Sequence, residues 1–457
     1  MNTQWLKLRP YDGDQKKAFE ELVCQLADSE PIGNRVQFIR VAAPDGGKEA
    51  YCTLSTDEEY GWQAKFFTSM SETQWRQLDE SIETVLNKHP KLIRYYICTP
   101  LDREDPRIDK QRWFMDKWNE RVEKWQGLAQ RTNRTVDFIY WGNYELFDRL
   151  SRPINVGRSS FWFQETELSE EWFTRRLGES ICHLGNRYTP EVDFQLPIAK
   201  VFHGLARDTH FLVRWSEEFN QFKITAYKAI HQLHVQDQRV NELGDIFKQH
   251  LTLLNQFEEI NRPYRLSIVN REVIIDAFNQ LLSCVNDIIS RFYELNRIAK
   301  EKKKASGQYD SEYSNSYGWD IEKFREVSSS IHKYREYINS LEVQAANSPA
   351  ILLSGDAGMG KSHLLADIAQ KRKEENLPTV LVLGQHFTTT DEPWTQILRQ
   401  LHLSCNRDTF LATLNSYGET LGSRVLLCID AINEGQGLYV WGEYIRGFLF
   451  EVAHYPW

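Results

Sequence analysis

The chain has 457 residues, 41% of them hydrophobic, and 55 Lys and Arg against 64 Asp and Glu, a net charge of −9. Such a length outgrows a single core and predicts roughly two to four domains. The negative charge excludes coating nucleic acid by charge alone but leaves room for a local basic face.

Seven scattered cysteines show no CxxC pair and no zinc spacing, which reads as reduced core thiols. No basic, apolar leader follows Met1, and no stretch approaches the roughly 18 apolar residues of a membrane helix. A soluble, cytoplasmic chain without a membrane partner is the expectation.

Residues 1–155 read as a small α/β domain. Helical spacing over 19–26 is followed by strand-like segments at 36–41, 61–67, 92–98 and 136–141, the first alternating with period two. Residues 156–320 read as a mostly helical connector, with long helical patterns at 219–233 and 273–298. The basic run Lys300–Lys304 and the polar stretch up to Gly318 predict an exposed linker. From 321 onward a helix leads to apolar strands at 350–354, 380–384 and 424–430, separated by helical spans. That alternation predicts a parallel sheet covered on both faces.

The strand at 350–354 runs into Gly355-Asp356-Ala357-Gly358-Met359-Gly360-Lys361-Ser362. Glycines at 355, 358 and 360 let the backbone curl so that amides converge on phosphate oxygens at a helix N-terminus. Lys361 is placed to reach the β- and γ-phosphates, and the Ser362 hydroxyl to take one position on Mg²⁺. About 68 residues after Ser362, an apolar strand delivers Asp430, the expected second carrier of Mg²⁺, and Glu434 follows to orient or deprotonate water. ATP with Mg²⁺ is the cofactor these residues predict.

The segments around Gly358–Leu365, Leu383-Gly384-Gln385-His386-Phe387 and Ile429-Asp430-Ala431-Ile432-Asn433-Glu434-Gly435 resemble the STAND NTPases of bacterial antiviral defence. These are the AVAST proteins, relatives of animal NOD-like receptors. Arg187-Tyr188-Thr189-Pro190-Glu191 and Leu196-Pro197-Ile198 resemble the segment that leads into that family's NTPase module. The resemblance implies further strands, a sensor arginine, a winged helix and a ligand-recognising repeat region beyond Trp457. On that basis the NTPase domain over 321–457 is expected to be incomplete and the chain a fragment.

A second constellation lies in the first domain. Asp45 sits in a glycine-rich turn, and Gln63-Ala64-Lys65 lies on a strand whose period-two geometry puts Gln63 and Lys65 on one face. A metal-dependent phosphodiesterase needs oxygen ligands for Mg²⁺ beside a cation that helps water attack. Asp45, Gln63 and Glu20 are the candidate metal ligands, with Lys65 the candidate catalytic cation. Glu49 is an alternative to Gln63, and Glu20 is one of a pair with Glu21. This pattern resembles the PD-(D/E)xK nuclease fold and, within it, the Mrr-type restriction enzymes, whose strand often carries Gln-x-Lys. The segment Tyr96–Asp102 and the helix bearing Trp113, Trp118 and Trp125 look like the same effector class, although tryptophans at that spacing also suit a core. Residues 107–134 carry eight Lys and Arg against four acids, the best local candidate for a DNA backbone contact.

Together the two resemblances imply a restriction-endonuclease-like α/β domain, a helical connector and the start of a P-loop NTPase. The implied function is an ATP-regulated, Mg²⁺-dependent endonuclease of antiphage defence acting on double-stranded DNA. It would be triggered by a phage protein and active as a homo-oligomer. The alternative is a regulatory NTPase whose nuclease fold is catalytically dead and serves protein interaction.

Overall fold

The structure, a computed structural model, describes residues 3–41, 47–103, 114–163, 167–189, 198–231, 233, 237–259, 268–305 and 317–457. The chain forms two compact units, Met1–Arg175 with Ile397–Thr420, and Arg176–Gln396 with Leu421–Trp457. In chain order the first elements are α1 (Gln15–Asp28), β1 (Arg35–Arg40), β2 (Ala50–Leu54), β3 (Glu59–Ala64), α2 (Glu72–Lys88) and β4 (Leu92–Cys98). Next come α3 (Phe114–Gln130), β5 (Asp137–Trp141), α4 (Asn143–Leu150), α5 (Val156–Phe163) and α6 (Glu170–Leu184). A helical stretch follows, made of α7 (Ala199–Ala206), α8 (Thr209–His231), α9 (Gln238–Glu259), α10 (Arg271–Ala305), α11 (Gly318–Ile338) and α12 (Leu341–Ala346). The last elements are α13 (Lys361–Glu374), β6 (Thr379–Leu383), α14 (Pro393–Gln400), α15 (Arg407–Leu421), β7 (Leu426–Asp430) and α16 (Gly437–Val452).

The first unit is built on a five-stranded sheet in the order β1-β2-β3-β4-β5. Strands β1, β2 and β3 are antiparallel neighbours, and β3, β4 and β5 are parallel. The parallel pairs need crossovers, which α2 and α3 supply. Their apolar stripe packs with Leu92, Tyr95 and Ile97 of β4 into one core. Strand β2 was not foreseen. It forms because Ala50, Cys52 and Leu54 alternate as fully buried residues along a hairpin closed at Asp57, whose φ is 67°.

Trp118 and Trp125 belong to this core, and the Trp125 indole donates to Asp79 at 2.7 Å. They are packing residues rather than base-stacking ones. The basic helix is not a free cationic face either. Lys117 and Arg121 pair with Glu72, while Arg121 and Lys124 pair with Asp79, so α2 neutralises it. Arg107, Lys110, Arg112 and Trp113 lie outside the described residues.

Helix α15 enters the same unit although it is read from the chain between β6 and β7. Its Glu419, 7% exposed, is gripped by two Arg158 nitrogens at 2.9 and 3.0 Å and approached by Arg40 at 3.4 Å. Burial works against the Arg40 cation, but Glu21, the Cys24 thiol and Glu419 outweigh it and hold its pKa above the usual value. The fully buried Gln25 donates to Thr420 at 2.9 Å and accepts from the Trp162 indole at 2.9 Å. Every polar group named here has a partner, as burial demands.

The second unit has two cores. Phe278, Leu281, Val285, Ile288 and Phe292 of α10 anchor a helical one with α8, α9 and α11. The α10 stretch Arg271–Lys302 has the length and composition of a membrane span, contrary to the reading of the sequence, yet this apolar stripe is used in the helical core. Lys300–Lys304 continues α10 instead of forming a linker, and 306–316 lies outside the described residues. The other core joins Leu364, Leu365, Ile368 and Ala369 of α13 to Leu381 and Leu383 of β6 and to Leu426 and Cys428 of β7. Here the described sheet has only two strands, β6 and β7, paired in parallel. The strand expected at 350–354 does not form. Ile351 and Leu353 pack on the core while Leu352 remains 77% exposed.

Two glycine substitutions test the packing of unit one. A Cβ at Gly157 would lie 2.1 Å from the Ala412 carbonyl oxygen of α15, whereas Gly127 on α3 has nothing within 4 Å. Gly157→Ala is expected to cost ~1–3 kcal/mol through overpacking. Gly127→Ala should gain ~0.5–1 kcal/mol through helix propensity. Shifts of the urea unfolding midpoint in opposite directions check both.

Candidate functional site

The glycine-rich loop of unit two ends at the N-terminus of α13, where Gly358 and Gly360 have φ of 80° and 77°. Those left-handed values explain the glycines at these two positions. A Cβ at Gly355, Gly358 or Gly360 would meet nothing within 4 Å, so the outer side of the loop is open. Lys361 folds back to donate to the carbonyls of Gly355 and Asp356, each at 2.7 Å.

Ser362 donates to Asp430 Oδ1 at 3.0 Å, which brings the first turn of α13 to the end of β7. Asp430 is 4% exposed, and its Oδ2 has no hydrogen-bond partner among the described residues. A buried carboxylate oxygen without a partner is costly, and a divalent cation is the ligand that relieves it. The donor set of Ser362 and Asp430 would suit Mg²⁺.

Glu434 follows in a turn where Ala431 has φ of 52° and the Glu434 amide donates to the Ala431 carbonyl at 2.9 Å. The Glu434 Oε2 accepts from both terminal nitrogens of Arg187, each at 3.1 Å. Sequence reasoning placed Arg187 only in a segment of family likeness and missed this pairing. The two residues are 247 positions apart, and nothing in spacing links them. Tyr188 and His363 bring their rings to 5.1 Å, and the Thr189 amide approaches His363 Nδ1 at 3.4 Å. Pro190, Glu191, Leu196 and Pro197 lie outside the described residues.

In unit one the candidate metal site is only partly visible, since Asp45 lies outside the described residues. Gln63 is 1% exposed, and neither its amide oxygen nor its nitrogen has a partner among the described residues. Lys65, just past β3, has its amine 3.6 Å from Glu49 Oε1, and Glu49 Oε2 accepts from the Ala64 amide at 2.9 Å. The carboxylate that meets Lys65 is thus Glu49, which sequence reading held only as an alternative. Among the described residues no cluster of three or more His, Cys, Asp or Glu side chains is grouped as metal ligands.

The turn that carries Glu49 is fixed from both sides. Gly47 has φ of +94°, and a Cβ there would lie 2.7 Å from the Ser81 carbonyl of α2. Lys48 is fully buried, with its amine 2.7 Å from Glu59 and 3.6 Å from the Tyr51 ring centre. Burial lowers the Lys48 pKa despite that carboxylate. Glu20 is half-buried on α1. Burial raises the Cys24 and Cys98 thiol pKa values well above the usual range, Glu49 adds to both, and Glu20 adds to Cys24. Glu20 and Glu49 therefore both act on the Cys24 thiol.

Residues 345–434 match the family described as an AAA domain. That match makes this part of the chain a P-loop NTPase module, a nucleotide-binding region of the kind that takes ATP with Mg²⁺. No curated protein and no solved structure matches the chain.

Fluorescent-nucleotide titration tests the assignments of Lys361 and Asp430. Lys361→Ala is expected to weaken ATP binding by roughly tenfold or more. Asp430→Asn should leave binding without Mg²⁺ intact and remove the increment that Mg²⁺ adds.

Proposed function

We propose that the chain is a nucleotide-regulated, metal-dependent DNA endonuclease in which the P-loop module governs a phosphodiesterase site in unit one. The observation that carries this reading is the contact of Lys65 with Glu49 at the end of β3, two residues after the buried Gln63. A carboxylate meets an amine there, and the buried Gln63 amide two residues earlier has no partner among the described residues. Leaving such an amide unsatisfied costs ~1–3 kcal/mol, which a purely structural core would avoid by using a leucine.

Glu49 and Gln63 would hold Mg²⁺ through oxygen, with Asp45 and Glu20 as further candidate ligands. Bound there, the ion supplies Lewis-acid polarisation of a phosphodiester and an acidified water. Lys65 then places its positive charge where the phosphate gains negative charge, and its contact with Glu49 keeps it aimed at that point. In unit two, Gly355, Gly358, Gly360, Lys361, Ser362 and Asp430 would seat Mg²⁺ and ATP, and Glu434 would orient the attacking water.

The likeness to antiviral STAND NTPases and Mrr-type nucleases extends this reading to antiphage defence. In that role a phage protein triggers the chain, a homo-oligomer is the active form, and double-stranded DNA in the cytoplasm is the substrate. One observation favours a second reading, a catalytically dead nuclease fold used for protein interaction: Gln63, a neutral amide, stands where the nuclease motif carries an acid.

Supercoiled plasmid and Mg²⁺, with and without ATP, test the proposal. Lys65→Ala and Glu49→Gln should each reduce cleavage by roughly 10²-fold or more. Gln63→Glu should tighten Mn²⁺ binding by adding a carboxylate at the ion. Absence of Mn²⁺ binding in the unaltered chain and in Gln63→Glu would decide for the dead fold.

A further inference from the structure

The cations of the nucleotide site are both held by the chain's own oxygens. Lys361 is on the carbonyls of Gly355 and Asp356, and Arg187 is on Glu434. The Arg187 arrangement is specific in geometry. A short 3₁₀ turn, Gly185–Arg187, follows α6, and the next two residues rest on His363, the neighbour of Ser362 in the first turn of α13. On the other side, Glu434 sits four residues past Asp430, itself hydrogen-bonded to Ser362. Arg187, Ser362, Asp430 and Glu434 are therefore gathered at the same end of α13, with Arg187 supplied from a segment far upstream of the P-loop.

We propose that Arg187 reads the terminal phosphate of the nucleotide. Without ATP it occupies Glu434, and with ATP it leaves Glu434 for the γ-phosphate, freeing that carboxylate for water. The inference rests on the nucleotide site and on the role given to Glu434 above, and it extends both.

Three physical considerations support the exchange. The Arg187 and Glu434 side chains are 43% and 40% exposed, and an ion pair that open to water is weak and easily traded. Guanidinium binds phosphate oxygens in a fork that a single carboxylate oxygen does not fill, and here both nitrogens share one oxygen. Finally, a ligand shifts such an equilibrium only through its differential contacts with the two arrangements. ATP has the oxygen that recruits Arg187, and ADP lacks it. The pair thus keeps Glu434 engaged in the nucleotide-free and ADP states and releases it only for the substrate.

The test compares binding of a non-hydrolysable ATP analogue and of ADP, each with Mg²⁺, to the full chain. In the unaltered chain the analogue should bind more tightly. Arg187→Ala should lower that preference by roughly tenfold, through the analogue alone, with ADP affinity unchanged. Glu434→Gln releases Arg187 without removing it and should keep or increase the preference. Either an Arg187→Ala variant with an unaltered preference or one that loses both affinities equally overturns the proposal. A Glu434→Gln variant that loses the preference also overturns it. Binding of neither nucleotide by the unaltered chain would instead bring down the nucleotide site itself, a result distinct from those three.

Discussion

The hydrogen bond from Ser362 to Asp430 is the contact on which the chemistry of unit two depends. In a sheet where the strand before the P-loop was laddered to its neighbour, backbone bonds would set the position of the loop. Here residues 351–356 have no ladder partner among the described residues, so side chains do that work. Ile351 and Leu353 press on the core beneath α13, and the serine hydroxyl fastens the top of that helix to β7. Gly384 shows how close β6 and β7 end, since a Cβ there would lie 2.4 Å from the Ala431 carbonyl. The loop, Ser362, Asp430 and Glu434 are thus hung from one short parallel pair.

Unit one treats buried polarity in two opposite ways. Around α15, Arg40, Glu419, Arg158, Gln25, Thr420 and Trp162 satisfy one another in a closed set. Breaking a buried pair of that kind costs ~3–5 kcal/mol, because the remaining charge stays buried without its partner. At the end of β3, Gln63 is buried, and neither of its amide atoms has a partner among the described residues.

Much of this was legible in the residues. The stretch at 92–98 becomes β4 at those bounds because an apolar run of strand length rich in isoleucine and tyrosine favours a strand over a helix. Asp430 was readable as the end of an apolar strand after a P-loop, since motif and context reinforce each other. The failures are equally physical. Residues 350–354 have the apolarity of a central strand, but pairing is a property of neighbours, which local composition does not encode. The pairing of the cations on α3 was not legible, because its carboxylates, Glu72 and Asp79, lie one helix earlier. Glu49 stood only as an alternative to Gln63, because only the fold reveals which acid meets Lys65. Arg187 and Glu434 form a pair across 247 positions that no periodicity announces.

The chain enters unit one twice, first as residues 1–175 and again as 397–420. A single crossover between genes at residue 175 would therefore not exchange the first unit cleanly. The incoming piece would bring foreign residues in place of Arg40, Arg158 and Gln25, the partners of Glu419 and Thr420, and the resident α15 would meet a foreign surface at Gly157, where even a methyl group does not fit. Any lineage that swaps the N-terminal part must carry a matched helix inside the NTPase module along with it. The two regions are thus constrained to change together, and new N-terminal chemistries can be accepted only where that one helix is answered.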